Sequence, residues 1–304
     1  MPKLGCSTKA LVILLLLVAL LVLSFIGGAI GKNFFGETPI SRVIGPEKPE
    51  VHLPADIVFT VPVFGFDLPV TNTILATWLS MLVIIVVALI ATRRMALAPG
   101  GLQNSFEWGL EKLLGFVEGV AGHENGRRFF PVLATIFLFV MVNAWLALFP
   151  GFGSIEIHGP EGKGVHLLRS AGTDINTPLA LAIVSFVFVE YWGISSIGLR
   201  RYLGKFFNFK QLLKGKVMGL VDVFVGLLEL LSEFIRMVSF TFRLFGNMTA
   251  GEILLMVVMF LVPWGIALPF YGLELLVGFV QALIFAGLTL VFGTMAVAVH
   301  EEGH

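Results

Sequence analysis

Six apolar runs, each long enough to cross a lipid bilayer as a helix, dominate this chain. They cover residues 10–30, 72–92, 129–149, 175–195, 219–262 and 269–298. A transmembrane helix needs about 20 predominantly apolar residues, because the hydrocarbon core is about 30 Å thick and a helix rises about 1.5 Å per residue. Only 13% of the 304 residues are charged, which is well below the share in soluble proteins. The sequence therefore predicts an all-α polytopic membrane protein with about six transmembrane segments.

Composition argues against several other classes of protein. The 20 basic and 20 acidic residues give a formal net charge of zero, and the basic residues are spread among the loops instead of forming a nucleic-acid-binding patch. A single cysteine cannot form an internal disulfide, and the six histidines have no ligand-like spacing. The chain has neither a Walker A pattern nor a nucleophile elbow. We therefore expect no cofactor, no metal, no nucleic-acid partner and no nucleotide-binding or ATP catalytic site in this chain.

The chain divides into three parts by composition. Residues 1–31 contain the first apolar run, preceded by two lysines, which is typical of either a signal peptide or a transmembrane anchor. A run of about 20 residues favours the anchor. Residues 32–70 are rich in proline and acidic side chains, and they predict an extracytoplasmic segment, mostly irregular, with short extended pieces around 56–69. Residues 71–304 hold the remaining runs and form the membrane domain.

The distribution of lysine and arginine among the loops predicts the topology. With the N-terminus in the cytoplasm, thirteen of these residues fall in inside segments and five in outside segments. Cytoplasmic loops carry the excess of basic residues, so 31–70 and 150–174 are expected outside. In the inside segment 93–128, apolar residues recur at helical spacing opposite Glu107, Glu111 and Glu118. This pattern predicts an amphipathic helix at the membrane surface.

The run 219–262 is too long for one upright helix. Its 44 residues would form a helix of roughly 66 Å against a hydrocarbon core of about 30 Å. Two structures remain open at this point: a hairpin bent near Gly246 and Asn247, or a single helix that crosses the membrane at a strong tilt.

A stripe of polar side chains follows this run at helical spacing. Its members are Glu229, Ser232, Arg236, Ser239, Arg243 and Asn247. A polar stripe at membrane depth must face protein or water. Beside it, Glu233 either forms a helix-stabilising salt bridge with Arg236 or contributes to a polar route, and both interpretations stay open.

Arg243 is the member with the strongest functional indication. An arginine at bilayer depth costs about 3–17 kcal/mol, depending on how the cost is measured, and its default interpretation is functional. No acidic residue occupies positions 239, 240, 246 or 247, where a partner on the same helix face would stand. We therefore expect the counter-ion of Arg243 to come from a partner subunit.

Three sequence blocks carry a resemblance to a known family. They are Phe-Arg-Leu-Phe-Gly-Asn-Met at 242–248, Ala-Gly-Glu at 250–252 and Gln-Ala-Leu-Ile-Phe at 281–285. Together they resemble the signature of subunit a, the membrane stator channel of bacterial F-type ATP synthases. The resemblance covers the chain from about residue 60 onward and implies two long, slanted C-terminal helices beside a rotating ring of c subunits. It also implies a location in the bacterial plasma (inner) membrane, a cytoplasmic C-terminus and peripheral-stalk b subunits as partners.

The resemblance implies candidate roles for individual residues. Arg243 is expected to be the essential ring-facing residue, which attracts the carboxylate of each c subunit and separates two aqueous half-channels. Asn247 shares a helix face with Arg243. The outer half-channel is expected to contain Asp174, Asn176, Glu252, Glu274 and Gln281, and the cytoplasmic half-channel Glu229, Ser232 and Ser239, with Glu233 as a candidate addition. The transported ion is expected to be H⁺, with Na⁺ as the alternative.

Two other features affect the interpretation. Members of the family often have a histidine at one of the positions that correspond to Glu252 and Glu274, whereas this chain has carboxylates at both. If these carboxylates approach closely, they should titrate as a pair. Glu190, within the run 175–195, is a further intramembrane carboxylate that either pairs with Arg200 or Arg201 or lines the channel.

Two other functions compete with the stator channel. A cation-coupled secondary transporter also places charged residues at the membrane midplane, but the first half of the chain has no counterpart of the Arg243 segment, as an internal repeat would require. An integral-membrane enzyme such as a lipid transferase would need a catalytic motif, and the loops are short. Whether the chain counts as part of an enzyme depends on the complex to which it belongs.

Overall fold

The computed structural model describes residues 8–39, 54–63, 65–93, 100–149, 151–153, 155–158, 164–199, 202, 218–262 and 265–298. Its helices are α1 (Thr8–Gly27), α2 (Ala29–Phe35), α3 (Asn72–Thr92), α4 (Leu102–Ala121), α5 (His123–Ala147), α6 (Asn176–Ile197), α7 (Met218–Leu261) and α8 (Ala267–Ala298). The strands are β1 (Ile57–Val63), β2 (Phe66–Thr71), β3 (Glu156–His158) and β4 (Gly164–His166). Consecutive strands pair as two antiparallel hairpins.

The helices confirm an all-α polytopic membrane protein. Among the described residues, α3, α5, α6, α7 and α8 are each long and apolar enough to cross a membrane. The pair α1 and α2 adds a sixth span if it is counted as one, although the two helices are bent by 71° at Gly28. The close approach at this bend requires Gly31, because a Cβ there would collide with the backbone oxygens of Phe25 and Ile26.

The long apolar run forms one helix. α7 continues from Met218 to Leu261 over 44 residues, without a break at Gly246 or Asn247. The hairpin alternative is therefore wrong. A helix of roughly 66 Å fits a hydrocarbon core of about 30 Å only when it is strongly tilted.

The described chain separates into two compact units. The larger unit consists of Ala55–Gly246 and Gly278–His304, and the smaller unit of Met1–Pro54 and Asn247–Val277. In the smaller unit, Gly265 in the connection before α8 lies against Leu21 of α1, where a Cβ would stand 2.6 Å from Leu21 Cδ2.

The core of the larger unit joins four helices. Its buried residues are Val117 of α4, Phe129 and Leu133 of α5, Val189 and Trp192 of α6, and Leu290 and Ala296 of α8. The rings of Phe129 and Trp192 stack with their centroids 4.1 Å apart. α8 approaches α6 closely because residue 293 is glycine: a Cβ there would lie 2.8 Å from Trp192 Cε3.

The helix α4 is amphipathic, as the spacing of its apolar residues predicts. Leu113 and Val117 are buried against the core, while Glu111 is exposed. At the sharp corner before α5, where Gly122 has φ of 77°, Glu118 Oε1 accepts a hydrogen bond from Arg127 Nε over 3.1 Å and lies 3.1 Å from His123 Nδ1. The hydrogen bond from Arg127 lowers the pKa of Glu118.

Residues 57–71 form the short extended pieces that the sequence predicts. β1 and β2 form a hairpin whose turn includes Gly65 with φ of 84°. β2 leads directly into α3, where the side chain of Thr71 caps the helix by accepting a hydrogen bond from the backbone N–H of Ile74 over 3.4 Å.

Candidate functional site

The polar stripe of α7 divides into an exposed part and a half-buried part. Ser232, Ser239 and Arg243 are exposed in the larger unit, whereas Glu229 and Arg236 are half-buried. Exposed apolar side chains flank the exposed part, including Ile235 and Phe242. A surface of this composition cannot face lipid alone, because the guanidinium requires an anion or water.

Arg243 has no carboxylate partner in the described part of the larger unit. No acidic oxygen there lies within the 4.0 Å that defines a salt bridge. This result agrees with the expectation that its counter-ion comes from elsewhere. The guanidinium remains protonated at any physiological pH, so the positive charge on this face is permanent.

Arg236, two helical turns before Arg243, is neutralised within the chain. Its Nη1 lies 2.6 Å from Oε2 of the buried Glu233, and its guanidinium stacks 3.7 Å from the ring centroid of Phe292 on α8. An ion pair reinforced by a cation–π contact joins the two helices. Of the two interpretations left open for Glu233 and Arg236, the structure supports the salt bridge.

Between β4 and α6, Asp174 is the centre of a hydrogen-bond network. Its Oδ1 accepts hydrogen bonds from the backbone N–H of Asn176 over 3.1 Å and from Asn176 Nδ2 over 2.9 Å. Its Oδ2 accepts a hydrogen bond from Thr73 Oγ1 over 2.9 Å. The structure therefore brings Asp174 and Asn176 together and connects them to the first turn of α3.

In the smaller unit, the two unusual carboxylates belong to neighbouring parts of α7 and α8. The carboxylate of Glu274 occupies the space beside Gly251 where a side chain would otherwise stand. Glu252 follows Gly251 directly in the sequence. Glycine at 251 is thus what allows an acidic side chain of α8 to approach the α7 backbone next to a second acidic residue. Asn247, at the start of this unit's part of α7, is exposed.

Gln281 lies on α8 in the larger unit and is only 2% exposed. The predicted outer half-channel therefore draws Asp174, Asn176 and Gln281 from the larger unit and Glu252 and Glu274 from the smaller one. The convergence of all five residues stays a prediction.

Glu229 and Glu233 of the predicted cytoplasmic route lie near a buried tyrosine, Tyr202, that the sequence patterns did not indicate. The hydroxyl of Tyr202 forms a hydrogen bond with Glu190, and its ring packs into a notch at Gly193. Burial raises the pKa of Tyr202, and the carboxylates of Glu190, Glu233 and Glu229 raise it further. The proposed partners of Glu190, Arg200 and Arg201, lie outside the described residues.

Asn72 and Thr73 are two further residues that were not predicted from the sequence. Both are buried, and Asn72 Nδ2 donates a hydrogen bond to the backbone oxygen of His166 over 3.3 Å. The available signal was the group of polar residues 71–73 at the head of an apolar run, which resembles the group 173–176 before α6.

A tilted, arginine-bearing helix among membrane spans, together with buried and half-buried carboxylates, defines the class of ion-translocating membrane subunits. A family model described as ATP synthase A chain matches residues 74–294. ATP synthase subunit a of Gloeobacter violaceus is 34% identical over 233 residues, covering 77% of this chain and 86% of that protein. Subunit a of a Campylobacter jejuni strain is 35% identical over 73% of this chain and 88% of its own length. Subunit a of Moorella thermoacetica is 28% identical over 74% and 90%.

The chain belongs to the ATP synthase subunit a family. It is a multi-pass bacterial membrane protein that serves as the stator proton channel of the Fo sector, next to the c-ring. Its matched region begins after the β1–β2 hairpin, so α1 and α2 precede the family core.

Proposed function

We propose that this chain gives protons access to the c-ring carboxylates through two offset half-channels separated by Arg243. Arg243 attracts the carboxylate of an arriving c subunit and favours loss of its proton, because a nearby positive charge stabilises the ionised form. The fixed charge also prevents protons from passing directly between the half-channels. Proton flow is then coupled to ring rotation and ATP synthesis.

Two sets of residues form the proposed routes. The outer half-channel uses Asp174, Asn176, Glu252, Glu274 and Gln281, with Asn247 beside Arg243. The cytoplasmic half-channel uses Glu229, Ser232 and Ser239. The exposure of Ser232 and Ser239 on the same helix face as Arg243 supports this assignment. Glu233 is assigned to the salt bridge with Arg236 and not to the route.

The remaining assignments extend the proposal to topology and assembly. Residues 1–31 are a transmembrane anchor, 32–70 lie outside and 71–304 form the channel domain. Both termini lie in the cytoplasm, as the excess of basic residues in the inside loops supports.

The chain also contacts the b subunits of the peripheral stalk, and the transported ion is H⁺. A charge crossing the membrane releases about 2.3 kcal/mol per 100 mV, so several protons are needed for each ATP.

The observation that carries the proposal is the exposed Arg243 without a carboxylate partner in the described part of its own unit. Reconstitution tests the proposal directly. Vesicles with this chain alone should not conduct protons in response to a membrane potential, whereas vesicles with the chain and its c-ring should. Equal proton conduction without the ring would indicate an independent carrier. Sodium-dependent transport that leaves the pH gradient unchanged would contradict the ion assignment.

A further inference from the structure

The hydroxyl of Thr73 connects two elements that are distant in sequence. Thr73 lies in the first turn of α3, and it donates a hydrogen bond of 2.9 Å to Asp174, 101 residues later, just before α6. Thr73 is only 1% exposed. Because the site is closed to solvent around Thr73, bulk water cannot readily replace its hydroxyl as a donor to Asp174 Oδ2.

The bond from Thr73 to Asp174 determines the direction of a second hydrogen bond, between Thr71 and Thr73. Thr71 Oγ1 and Thr73 Oγ1 lie 2.8 Å apart, and either atom could donate. A threonine hydroxyl carries one proton, and the proton of Thr73 is used in the bond to Asp174. Thr71 must therefore donate to Thr73, which gives an ordered row of hydroxyls from Thr71 through Thr73 to the carboxylate.

The backbone around Thr73 is held in place by its buried neighbour. Asn72 has no exposed surface, and its Nδ2 bonds to the backbone oxygen of His166 in β4. The backbone N–H of Asn72 also donates to the carbonyl of Asp56 over 3.1 Å. These contacts fix the first turn of α3 and hence the position from which Thr73 reaches Asp174.

We infer that Thr73 is a positioning residue: it holds the carboxylate of Asp174 in the orientation needed for proton passage through the outer half-channel. Asn176 alone cannot fix that orientation, because its two hydrogen bonds both go to Oδ1 and it is an exposed residue only two positions away in the sequence. Thr73 supplies the only contact in the described structure that bonds Oδ2 to another helix. This inference rests on the proposed role of Asp174.

Proton conduction by the complete ATP synthase in vesicles tests the inference. Rates are measured as ATP-driven acidification and, after removal of the soluble head, as passive proton flow per assembled complex. Thr73→Val keeps the shape of the side chain but removes the donor, and we expect conduction to fall about tenfold, the order expected for a lost hydrogen bond to a charged group. Thr73→Ser restores the donor and should conduct at close to the parent rate.

Two comparisons separate positioning from general packing. Thr77→Val is the matched control, because Thr77 lies one turn further along α3 and its hydroxyl bonds only to the Thr73 carbonyl, over 2.9 Å. It should conduct like the parent. In an Asp174→Asn background, adding Thr73→Val should lower conduction no further, because the two residues act through the same carboxylate.

Several results would overturn the inference. One is parent-level conduction by assembled Thr73→Val, and another is an equal loss from this change in the presence and absence of Asp174. If Thr73→Val does not assemble, Thr73→Ala removes the same donor, and failure of both to assemble would assign Thr73 to folding instead. The proposed function fails separately: in that case Arg243→Ala and Asp174→Asn would both conduct like the parent.

Discussion

Two arginines on one helix have opposite environments in this protein. Arg236 is held by Glu233 and by the ring of Phe292, whereas Arg243, seven residues later, is exposed without a carboxylate partner in the described part of its unit. Both are arginines of the same polar stripe on one helix. The difference in neutralisation supports a structural role for Arg236 and the translocating role that we propose for Arg243.

Replacing the carboxylate of the buried pair should destabilise the protein. Glu233→Ala leaves the half-buried Arg236 guanidinium without its anion, and we expect the free energy of unfolding to fall by about 3 kcal/mol. Thermal unfolding of the purified complex in detergent measures the loss. The double variant Glu233→Leu/Arg236→Met removes both charges and should recover most of the stability. Unchanged stability with lost proton transport in Glu233→Ala would instead place Glu233 in the cytoplasmic half-channel.

Gly251 should be intolerant of even one added methyl group. In Gly251→Ala the new Cβ collides with the carboxylate of Glu274, so that side chain must move away from its position beside Glu252. We expect slower proton pumping with little change in assembly. Gly272→Ala is the matched control, since a Cβ at 272 in the same unit meets no atom within 4 Å. Equal pumping rates for the two variants would contradict the role of Glu274.

At the level of helices and strands, the sequence predicts the spans well. The runs 72–92, 175–195 and 269–298 match α3, α6 and α8 within a few residues. α5 begins at His123, earlier than its apolar run, because charged residues extend the helix beyond the hydrophobic part. The 71° bend between α1 and α2 was not predicted, since its cause is a backbone contact at Gly31 and not a change in hydrophobicity.

The site was less predictable than the spans, for a physical reason. Periodicity identifies Arg243 and its stripe, because all of these residues lie on one helix. It cannot show that Thr73 bonds to Asp174, or that Tyr202 bonds to Glu190, because such pairs depend on how separate helices pack. Tyrosine and threonine give no functional signal by residue type alone. Tyr202 and Thr73 differ from other residues of their type only by their burial beside carboxylates.

The contact between α6 and α8 depends on a glycine. Gly293→Ala places a Cβ 2.8 Å from the buried Trp192 ring, which the stacked Phe129 prevents from moving freely. We expect a loss of about 1–3 kcal/mol in the free energy of unfolding, measured by thermal or denaturant unfolding in detergent. Gly287→Ala on the same helix should be tolerated, because its Cβ would lie 3.7 Å from Phe116, an ordinary contact. Equal losses for both variants would argue against a close contact between Gly293 and Trp192.

The corner between α4 and α5 should be sensitive to acid. The pKa of Glu118 is lowered in the folded protein, mainly by the hydrogen bond from Arg127, so its stabilising effect is complete above the ordinary value of 4.5 and is lost as the pH falls through the lowered pKa. The protection of the amides in the 118–127 corner against hydrogen exchange, measured relative to the intrinsic exchange rate at each pH, should therefore fall below about pH 4.5.

The variant Glu118→Gln should exchange faster than the parent near neutral pH and show a smaller acid response. Glu111→Gln, on the same helix but exposed, is the control and should behave like the parent. A parent-like acid response in Glu118→Gln would show that another group controls the corner.

On the scale of the whole molecule, the described residues of the larger unit combine a packed helical core with an apolar surface on α7 that carries the positive charge of Arg243. The core of α4, α5, α6 and α8 holds the larger unit together, while α7 exposes Ile235, Phe242 and Arg243. A lipid-facing surface would not retain an uncompensated guanidinium, but a rotor that presents carboxylates in turn would neutralise it repeatedly. The fold is therefore consistent with a stator that is complete only beside its ring.

The most direct test of the role of Arg243 is to measure proton-coupled transport by the complete ATP synthase that carries Arg243→Ala. The parent and Arg128→Ala serve as comparisons. Arg128 is an exposed arginine of α5 outside the stripe. We expect Arg243→Ala to assemble but to lose both ATP-driven proton pumping and proton-driven ATP synthesis, while Arg128→Ala retains them. Coupled transport at the parent rate in assembled Arg243→Ala complexes would contradict the central role of this residue.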